Sequence, residues 1–170
     1  GFPAGVPLEW QIVGVGDVNG DGKADVIWHN GTSGTVAVWL MNGLSITAVG
    51  FPGSASTDWR VRGVGDVNGD GKADLVWRNT SDGTTAIWMM NGTAVVSSGF
   101  PGGVPLAWQI AGVGDVNGDG KADVIWRNNT SGTVAVWLMN GLASTAVGFP
   151  GSASTDGVID RKSVGEGKSG

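Results

Sequence analysis

A ten-residue string, Gly-Asp-Val-Asn-Gly-Asp-Gly-Lys-Ala-Asp, occurs three times in the chain and begins at Gly16, Gly65 and Gly114. The spacing is 49 residues in both intervals, and the nine tryptophans follow it, three to each repeat. Such a period indicates copies of one supersecondary unit, because each copy needs its neighbours to bury an apolar face. The chain is therefore predicted to fold as an array of similar units.

Each unit is predicted to contain four short antiparallel strands. In the first unit the β-rich runs cover residues 10–15, 25–28, 35–41 and 44–49. Asn42-Gly43 is a strong two-residue hairpin signal, and the Asp/Asn/Gly-rich segment after residue 15 separates the first two runs. The segment 50–53 is interpreted as the connection to the next unit.

The third predicted strand is apolar on both faces, which carry Val36, Val38 and Leu40 on one side and Ala37, Trp39 and Met41 on the other. A strand of this kind is covered on both sides. Four-stranded sheets of about 45–50 residues stacked on copies of themselves are typical of β-propeller blades. The predicted fold is thus an all-β propeller of four-stranded antiparallel, 49-residue blades.

Three blades are predicted, over residues of about 1–52, 53–101 and 102–156, followed by a degenerate partial repeat or tail at 157–170 without a complete metal loop. Closed propellers have about four to eight blades. Either the chain is part of a longer array, or further copies of it associate, because end blades that are apolar on both faces would otherwise meet water.

The loop after the first strand places oxygen side chains at alternate positions. Asp17, Asn19, Asp21 and Asp25 occupy positions 1, 3, 5 and 9, and the backbone carbonyl of Lys23 occupies position 7. Carboxylates, an amide oxygen and a carbonyl are hard ligands that suit Ca²⁺. The equivalent candidate ligands in the other loops are Asp66, Asn68, Asp70, Lys72, Asp74, Asp115, Asn117, Asp119, Lys121 and Asp123.

A solvated turn is the alternative interpretation of each loop, but the same ligand pattern in three copies argues against it. Nine of the 15 acidic residues lie in these loops, where their repulsion is destabilising unless a cation relieves it. An EF-hand is excluded, because Trp28 stands at the position that requires an acid and the flanks are β-rich. We expect about three structural Ca²⁺ ions per chain.

Composition excludes several other classes of function. The chain has no cysteine, so a thiolate metal site, a disulfide scaffold and a cysteine nucleophile are excluded, and its one histidine, His29, leaves little for a histidine-based triad. A net charge of −5 with 10 basic residues argues against nucleic acid. The apolar runs are too short to cross a bilayer. No general base stands out beside the loops, so an enzyme is not expected.

Trp10, Trp59 and Trp108 begin the first strand of each unit, beside polar residues. Two interpretations are open for them: packing between blades, which is the simpler one, or an exposed aromatic platform that stacks on a sugar. The other six tryptophans are more simply explained by packing within and between blades.

The loop with its flanks, Gly-Val-Gly-Asp-Val-Asn-Gly-Asp-Gly-Lys-Ala-Asp-Val-Ile-Trp, followed by Ala-Val-Trp-Leu-Met-Asn-Gly, resembles the FG-GAP/VCBS-type repeat of bacterial secreted and surface proteins, which is similar to the blades of the integrin α-subunit propeller. The resemblance covers residues 1–156. It implies a calcium-binding propeller that serves adhesion, sugar binding or assembly.

The expected function is an extracellular or cell-surface, calcium-stabilised module that offers a binding or adhesive surface, with carbohydrate as the ligand class. The first alternative is a self-assembling surface or filament protein in which blades of several chains associate. The second is an accessory domain of a secreted enzyme. The expected partners are accordingly other copies of the chain, further blades of a longer chain, or glycan.

Overall fold

The structure is a computed structural model that describes residues 5–153, which form twelve strands and no helix. Sheet 1 contains β1 (Trp10–Gly16), β2 (Asp25–Asn30), β3 (Thr35–Asn42) and β4 (Ser45–Ser54). Sheet 2 contains β5 (Trp59–Gly65), β6 (Asp74–Asn79), β7 (Thr84–Asn91) and β8 (Ala94–Gly103). Sheet 3 contains β9 (Trp108–Gly114), β10 (Asp123–Asn128), β11 (Thr133–Asn140) and β12 (Ala143–Ser152).

Within each sheet the strands pair antiparallel in chain order. The predicted all-β class and the predicted four-stranded units are therefore confirmed. No helix among residues 5–153 is long and apolar enough to span a membrane. The degenerate repeat predicted at 157–170 lies outside the described residues.

The interpretation of residues 50–53 as a connection is wrong, because β4 continues through them to Ser54. Thr35 pairs with Ser54 and Val36 with Gly53, and the register shifts between Val36 and Val38. A β-bulge at this point accommodates Pro52, which cannot donate a backbone hydrogen bond, and β4 is an edge strand where this loss is tolerated. The same extension occurs in β8 and β12.

The hydrophobic core lies between successive sheets. One cluster joins Val18, Val36 and Val38 of the first repeat to Leu75 and Trp77 of sheet 2, and all five are buried. A second cluster joins sheets 2 and 3 in the same way. The two-sided burial predicted for the third strand is found in the middle sheet, where Ala86 and Met90 of β7 pack in the first cluster and Ile87 and Met89 in the second. In β3, Trp39 and Met41 are only half-buried, because no sheet precedes sheet 1 among residues 5–153.

Backbone hydrogen bonds also connect the β1–β2 loop to sheet 2 and the β5–β6 loop to sheet 3. The carbonyl oxygens of loop positions 1 and 2 accept them, and the donors are the alanine before the second strand and the glycine of the Asn-Gly hairpin. The four bonds, given from N to O, are Ala73 to Asp17 (2.7 Å), Gly92 to Val18 (2.7 Å), Ala122 to Asp66 (2.7 Å) and Gly141 to Val67 (2.8 Å). These bonds therefore fix the position of each of these loops relative to the sheet that follows it.

Candidate metal centre

Each candidate metal loop joins the first two strands of a sheet. Antiparallel pairing of Gly16 with Asp25 closes the loop at its base, so its first and last ligands start close together. Within the loop, Gly20 and Gly22 have φ angles of 81° and 85°, a region that side chains with a Cβ rarely adopt. These glycines give the sharp turn that brings alternate side chains to one side.

The aspartate at position 1 is held by backbone N–H groups. Asp17 Oδ1 accepts hydrogen bonds from Gly20 N (2.7 Å) and Asp21 N (3.2 Å), and Oδ2 accepts one from Gly22 N (2.7 Å). Asp66 and Asp115 make the same three contacts. The position-1 side chain therefore has the same orientation in all three loops.

These hydrogen bonds favour the ionised carboxylate at position 1. Burial opposes ionisation of Asp17, but the bonds from Gly22, Gly20 and Asp21 together lower its pKa below the ordinary value. The pKa of Asp115 is lowered as well, chiefly by the bond from Gly120. Both side chains are thus negatively charged at neutral pH and suited to bind a cation.

The aspartate at position 9 is completely buried in every repeat, at 0% exposure for Asp25, Asp74 and Asp123. Asp74 Oδ2 accepts a hydrogen bond from Val67 N (3.0 Å), and Oδ1 accepts one from Met90 N (3.0 Å) on β7. The equivalent bonds exist in the other two sheets. This residue therefore ties the loop to the third strand, a structural role that its place in a ligand motif does not indicate.

Burial raises the pKa of Asp74 to about 7, against the opposing effect of its two hydrogen bonds, and the negative charges of Asp70 and Asp66 raise it further. Ionisation of the Asp74 carboxyl is therefore unfavourable when no cation is bound nearby. A cation among these three carboxylates would offset that cost.

Positions 3, 5 and 7 complete the loop on its solvent side. Asn19 Oδ1 accepts a hydrogen bond from Asp21 N (3.1 Å), and Asp21 Oδ1 accepts one from Lys23 N (2.9 Å). Asn68, Asp70 and Lys72 repeat this arrangement, as do Asn117, Asp119 and Lys121. The five predicted ligand positions therefore form one continuous turn in each repeat.

The third loop brings three carboxylates together: Asp115, Asp119 and Asp123 each place an oxygen within 4.8 Å of the other two. It is the one group of three acidic, histidine or cysteine side chains in residues 5–153 that meets this distance. In the first two loops the position-3 amide nitrogen instead donates to the position-5 carboxylate, at 3.4 Å for Asn19 and 3.3 Å for Asn68. All the candidate metal-ligand atoms are oxygens, so the residues present fit Ca²⁺.

The three candidate platform tryptophans are half-buried, and each lies beside an exposed phenylalanine. The ring centroids are 6.4 Å apart for Trp10 and Phe51, 6.1 Å for Trp59 and Phe100, and 6.3 Å for Trp108 and Phe149. The phenylalanines are 64%, 70% and 65% exposed. We call these pairs the aromatic pairs.

The phenylalanines were missed as candidate surface residues, because the segment that contains them was interpreted as a connection. The recurrence of Gly-Phe-Pro at residues 50–52, 99–101 and 148–150 is the sequence signal that could have identified them.

Three stacked four-stranded sheets, each with a carboxylate-rich loop at the same place, define a tandem β-repeat protein. The FG-GAP-like repeat family matches residues 17–77 and 66–126, which together span more than half of the chain and contain all three loops. The chain belongs to the FG-GAP-like repeat family, as the sequence resemblance predicted. No match was found among curated proteins or among solved structures.

Proposed function

We propose that the chain is a run of calcium-stabilised β-propeller blades that offers a binding surface outside the cell. The observation that supports it best is the recurrence of one carboxylate loop, hydrogen-bonded to the following sheet wherever a following sheet exists. The loop carbonyls of Asp17 and Asp66 accept hydrogen bonds from sheets 2 and 3. Order in a loop is thereby coupled to the contact between neighbouring blades.

The residues that would hold calcium are the loop aspartates and asparagines, with the Asp115, Asp119 and Asp123 group as the best-formed set. When bound, the ion would supply positive charge to carboxylates that otherwise repel one another. Three such ions would change the formal net charge from −5 to +1. FG-GAP repeats generally bind calcium, which agrees with this assignment. The proposed role is structural, and no catalytic group is assigned.

Calcium titration by calorimetry, with thermal unfolding followed in parallel, tests the metal proposal. We expect about three sites per chain and a melting temperature that rises with calcium. Asp119→Asn should weaken one site, because this exposed side chain faces the other two carboxylates. Asp58→Asn is the matched control, since Asp58 is exposed and lies outside the loops. Absence of binding at about 10 mM calcium would refute the proposal, because this concentration is about ten times the largest dissociation constant usual for extracellular modules.

The proposed extracellular location agrees with the affinity that is usual for exposed calcium sites. Exposed calcium sites in extracellular modules have dissociation constants of about 10⁻⁴–10⁻³ M, so they would be empty in cytosol and largely filled outside. At calcium about ten times the dissociation constant, each site would stabilise the fold by roughly 1.4 kcal/mol. FG-GAP repeats are typically extracellular.

The proposed binding surface contains the aromatic pairs, because exposed aromatic side chains at three equivalent places are suited to stack on sugar rings. A glycan array with the whole chain in calcium tests this. Phe100→Ala should reduce binding while preserving stability, because Phe100 is 70% exposed. Val96→Ala is the control, as Val96 is 60% exposed in the same strand, β8. Equal glycan binding by both variants would count against the aromatic pairs.

A further inference from the structure

The contacts between successive sheets use projecting side chains of one sheet and glycines of the preceding one. Val64 of β5 lies against Gly14 and Gly16 of β1, and a Cβ built on Gly16 would be 2.7 Å from Val64 Cγ1. Val113 of β9 lies in the same way against Gly63 and Gly65 of β5, with the corresponding distance 2.9 Å at Gly65. We call such a side chain a knob and the glycines that receive it a socket.

A second knob and socket lie at the hairpin between the last two strands. Thr93 of sheet 2 occupies the space over Gly50 of β4. Leu142 of sheet 3 occupies the space over Gly99 of β8, where a Cβ would be 3.2 Å from Leu142 Cδ1. Each contact between sheets therefore includes a knob from the first strand and a knob from the hairpin, and both belong to the later sheet.

The outer face of sheet 1 carries the same knobs with nothing to receive them among residues 5–153. Val15, the equivalent of Val64 and Val113, is 57% exposed. Leu44, the equivalent of Thr93 and Leu142, is 88% exposed.

The outer face of sheet 3 carries the same sockets without knobs. A Cβ on Gly112, Gly114 or Gly148 would meet nothing within 4 Å. Val116 is 54% exposed there, whereas its equivalents Val18 and Val67 are completely buried by the following sheet.

The hydrogen-bonding groups of the two outer faces are complementary as well. On sheet 1, Ala24 N and Gly43 N are the equivalents of the donors that sheets 2 and 3 use. On sheet 3, the carbonyls of Asp115 and Val116 are the equivalents of the acceptors that sheets 1 and 2 use. Within the described residues, neither outer face makes one of these bonds between sheets.

The stems of the loop lysines pack against the preceding loop in the same sense. Lys72 packs its Cγ 3.4 Å from the Cβ position of Gly20, and Lys121 does so at Gly69. The equivalent pair of the outer faces is exposed Lys23 on sheet 1 and open Gly118 in the acidic third loop of sheet 3.

We propose that the outer face of sheet 3 docks a second copy of this chain, which contributes the outer face of its sheet 1. Val15 of that copy would fill the socket at Gly112 and Gly114, and Leu44 the socket at Gly148. The partner is a second copy because these knobs are the same residue types as Val113 and Leu142, so docking repeats the contact between sheets 2 and 3. The inference goes beyond the proposed function and does not require that the chain bind calcium or glycan.

The contact is head-to-tail, so it generates a closed ring or a filament. Two copies would contribute six sheets, within the about four to eight blades of closed propellers. A discrete species of two chains would indicate a ring, and a series of increasing masses would indicate a filament.

Analytical ultracentrifugation and native mass spectrometry of the whole chain in calcium, over a range of micromolar concentrations, test the proposal. We expect association by the wild type and at least about tenfold weaker association by Leu44→Asp, which would bring a carboxylate into an apolar contact. Gly148→Leu should have the same effect by filling the socket, and it should fold because the space above Gly148 is open. Val96→Asp, an exposed position of the middle sheet, is the control and should associate as the wild type does.

A mixture of the two variants gives the decisive result. Leu44→Asp retains its socket and Gly148→Leu retains its knobs, so an equal mixture should form a pair of one chain each. Each variant alone should associate at least about tenfold more weakly than the wild type. Circular dichroism checks that both fold, and Val15→Lys replaces Leu44→Asp if that variant does not.

Three results would overturn the proposal. They are a wild type that stays monomeric at every concentration, variants that associate as well as the wild type, and folded variants that fail to pair. The first of these would assign the two outer faces to another part of a longer chain.

Discussion

Replacement of Arg78 tests how strongly successive sheets depend on one another. Arg78 is the penultimate residue of β6 in the middle sheet and is 5% exposed. Its guanidinium donates to the carbonyl oxygens of Gly83, in its own sheet, and of Pro105 and Trp108, both 2.9 Å away at the beginning of the third repeat. It also lies 4.9 Å from the ring centroid of Trp126. One side chain thus makes three contacts with the third repeat and one within its own sheet.

We expect Arg78→Met to lower the free energy of unfolding by about 3 kcal/mol. Hydrogen bonds from a charged donor contribute about 1.5–3 kcal/mol each, and a buried cation–π contact about 2 kcal/mol. The cost of burying the charge offsets part of the sum. The carbonyls of Gly83 and Pro105 keep backbone donors, Val104 N and Trp108 N at 3.0 Å, so the substitution leaves few unpaired groups.

Thermal and urea unfolding in saturating calcium measure this loss, which corresponds to roughly 6–12 °C in a chain of this size. Because the contact joins neighbours in a repeat array, hydrogen exchange should increase in sheet 3 more than in sheet 1. Arg62→Met is the control, since Arg62 is exposed and lines a surface pocket together with Arg78. A change below about 0.5 kcal/mol in Arg78→Met would refute the assigned role, because that is the range of neutral surface substitutions.

Three further predictions concern sockets, pH and turns. Gly63→Val should destabilise the chain by about 1–3 kcal/mol, because Val113 fills its socket. Gly112→Val, at a socket that is open within the chain, should melt near the wild type at concentrations at which the chain is monomeric, and equal melting temperatures of the two variants would contradict the packing argument. Burial raises the pKa of Asp74 from 3.8 to about 7, so between these pH values the folded chain, in chelator, holds a proton that the unfolded chain releases. The melting temperature in chelator should therefore fall from pH 4 to pH 8, and this decrease should be absent in Asp74→Asn. Asn79→Ala should lower the free energy of unfolding by about 1 kcal/mol, because Asn79 Oδ1 accepts hydrogen bonds from two backbone N–H groups of its hairpin turn. An unchanged midpoint in urea unfolding would rule out this role.

Local signals in the sequence were sufficient for the strands and the loops. Alternation of apolar residues, Asn-Gly hairpins and the spacing of the carboxylates all act over a few residues, and the structure has strands where they were predicted. The extension of β4 to Ser54 was not predicted, because a proline inside a strand is a negative signal until its position at an edge is known. The division of roles in the loop was also missed, since Asp25 and Asp21 are both aspartates of one motif although only Asp25 is buried.

The sequence by itself determined the 49-residue unit, its four strands and its ligand-bearing turn, because each depends on residues near one another along the chain. Only the tertiary structure decided which surfaces are covered. Val18 and Val116 occupy the same place in the same motif, yet their exposures are 0% and 54%. The physical reason is that burial of a sheet face depends on the sheet that packs against it, about 50 residues away, and among residues 5–153 no sheet follows the third.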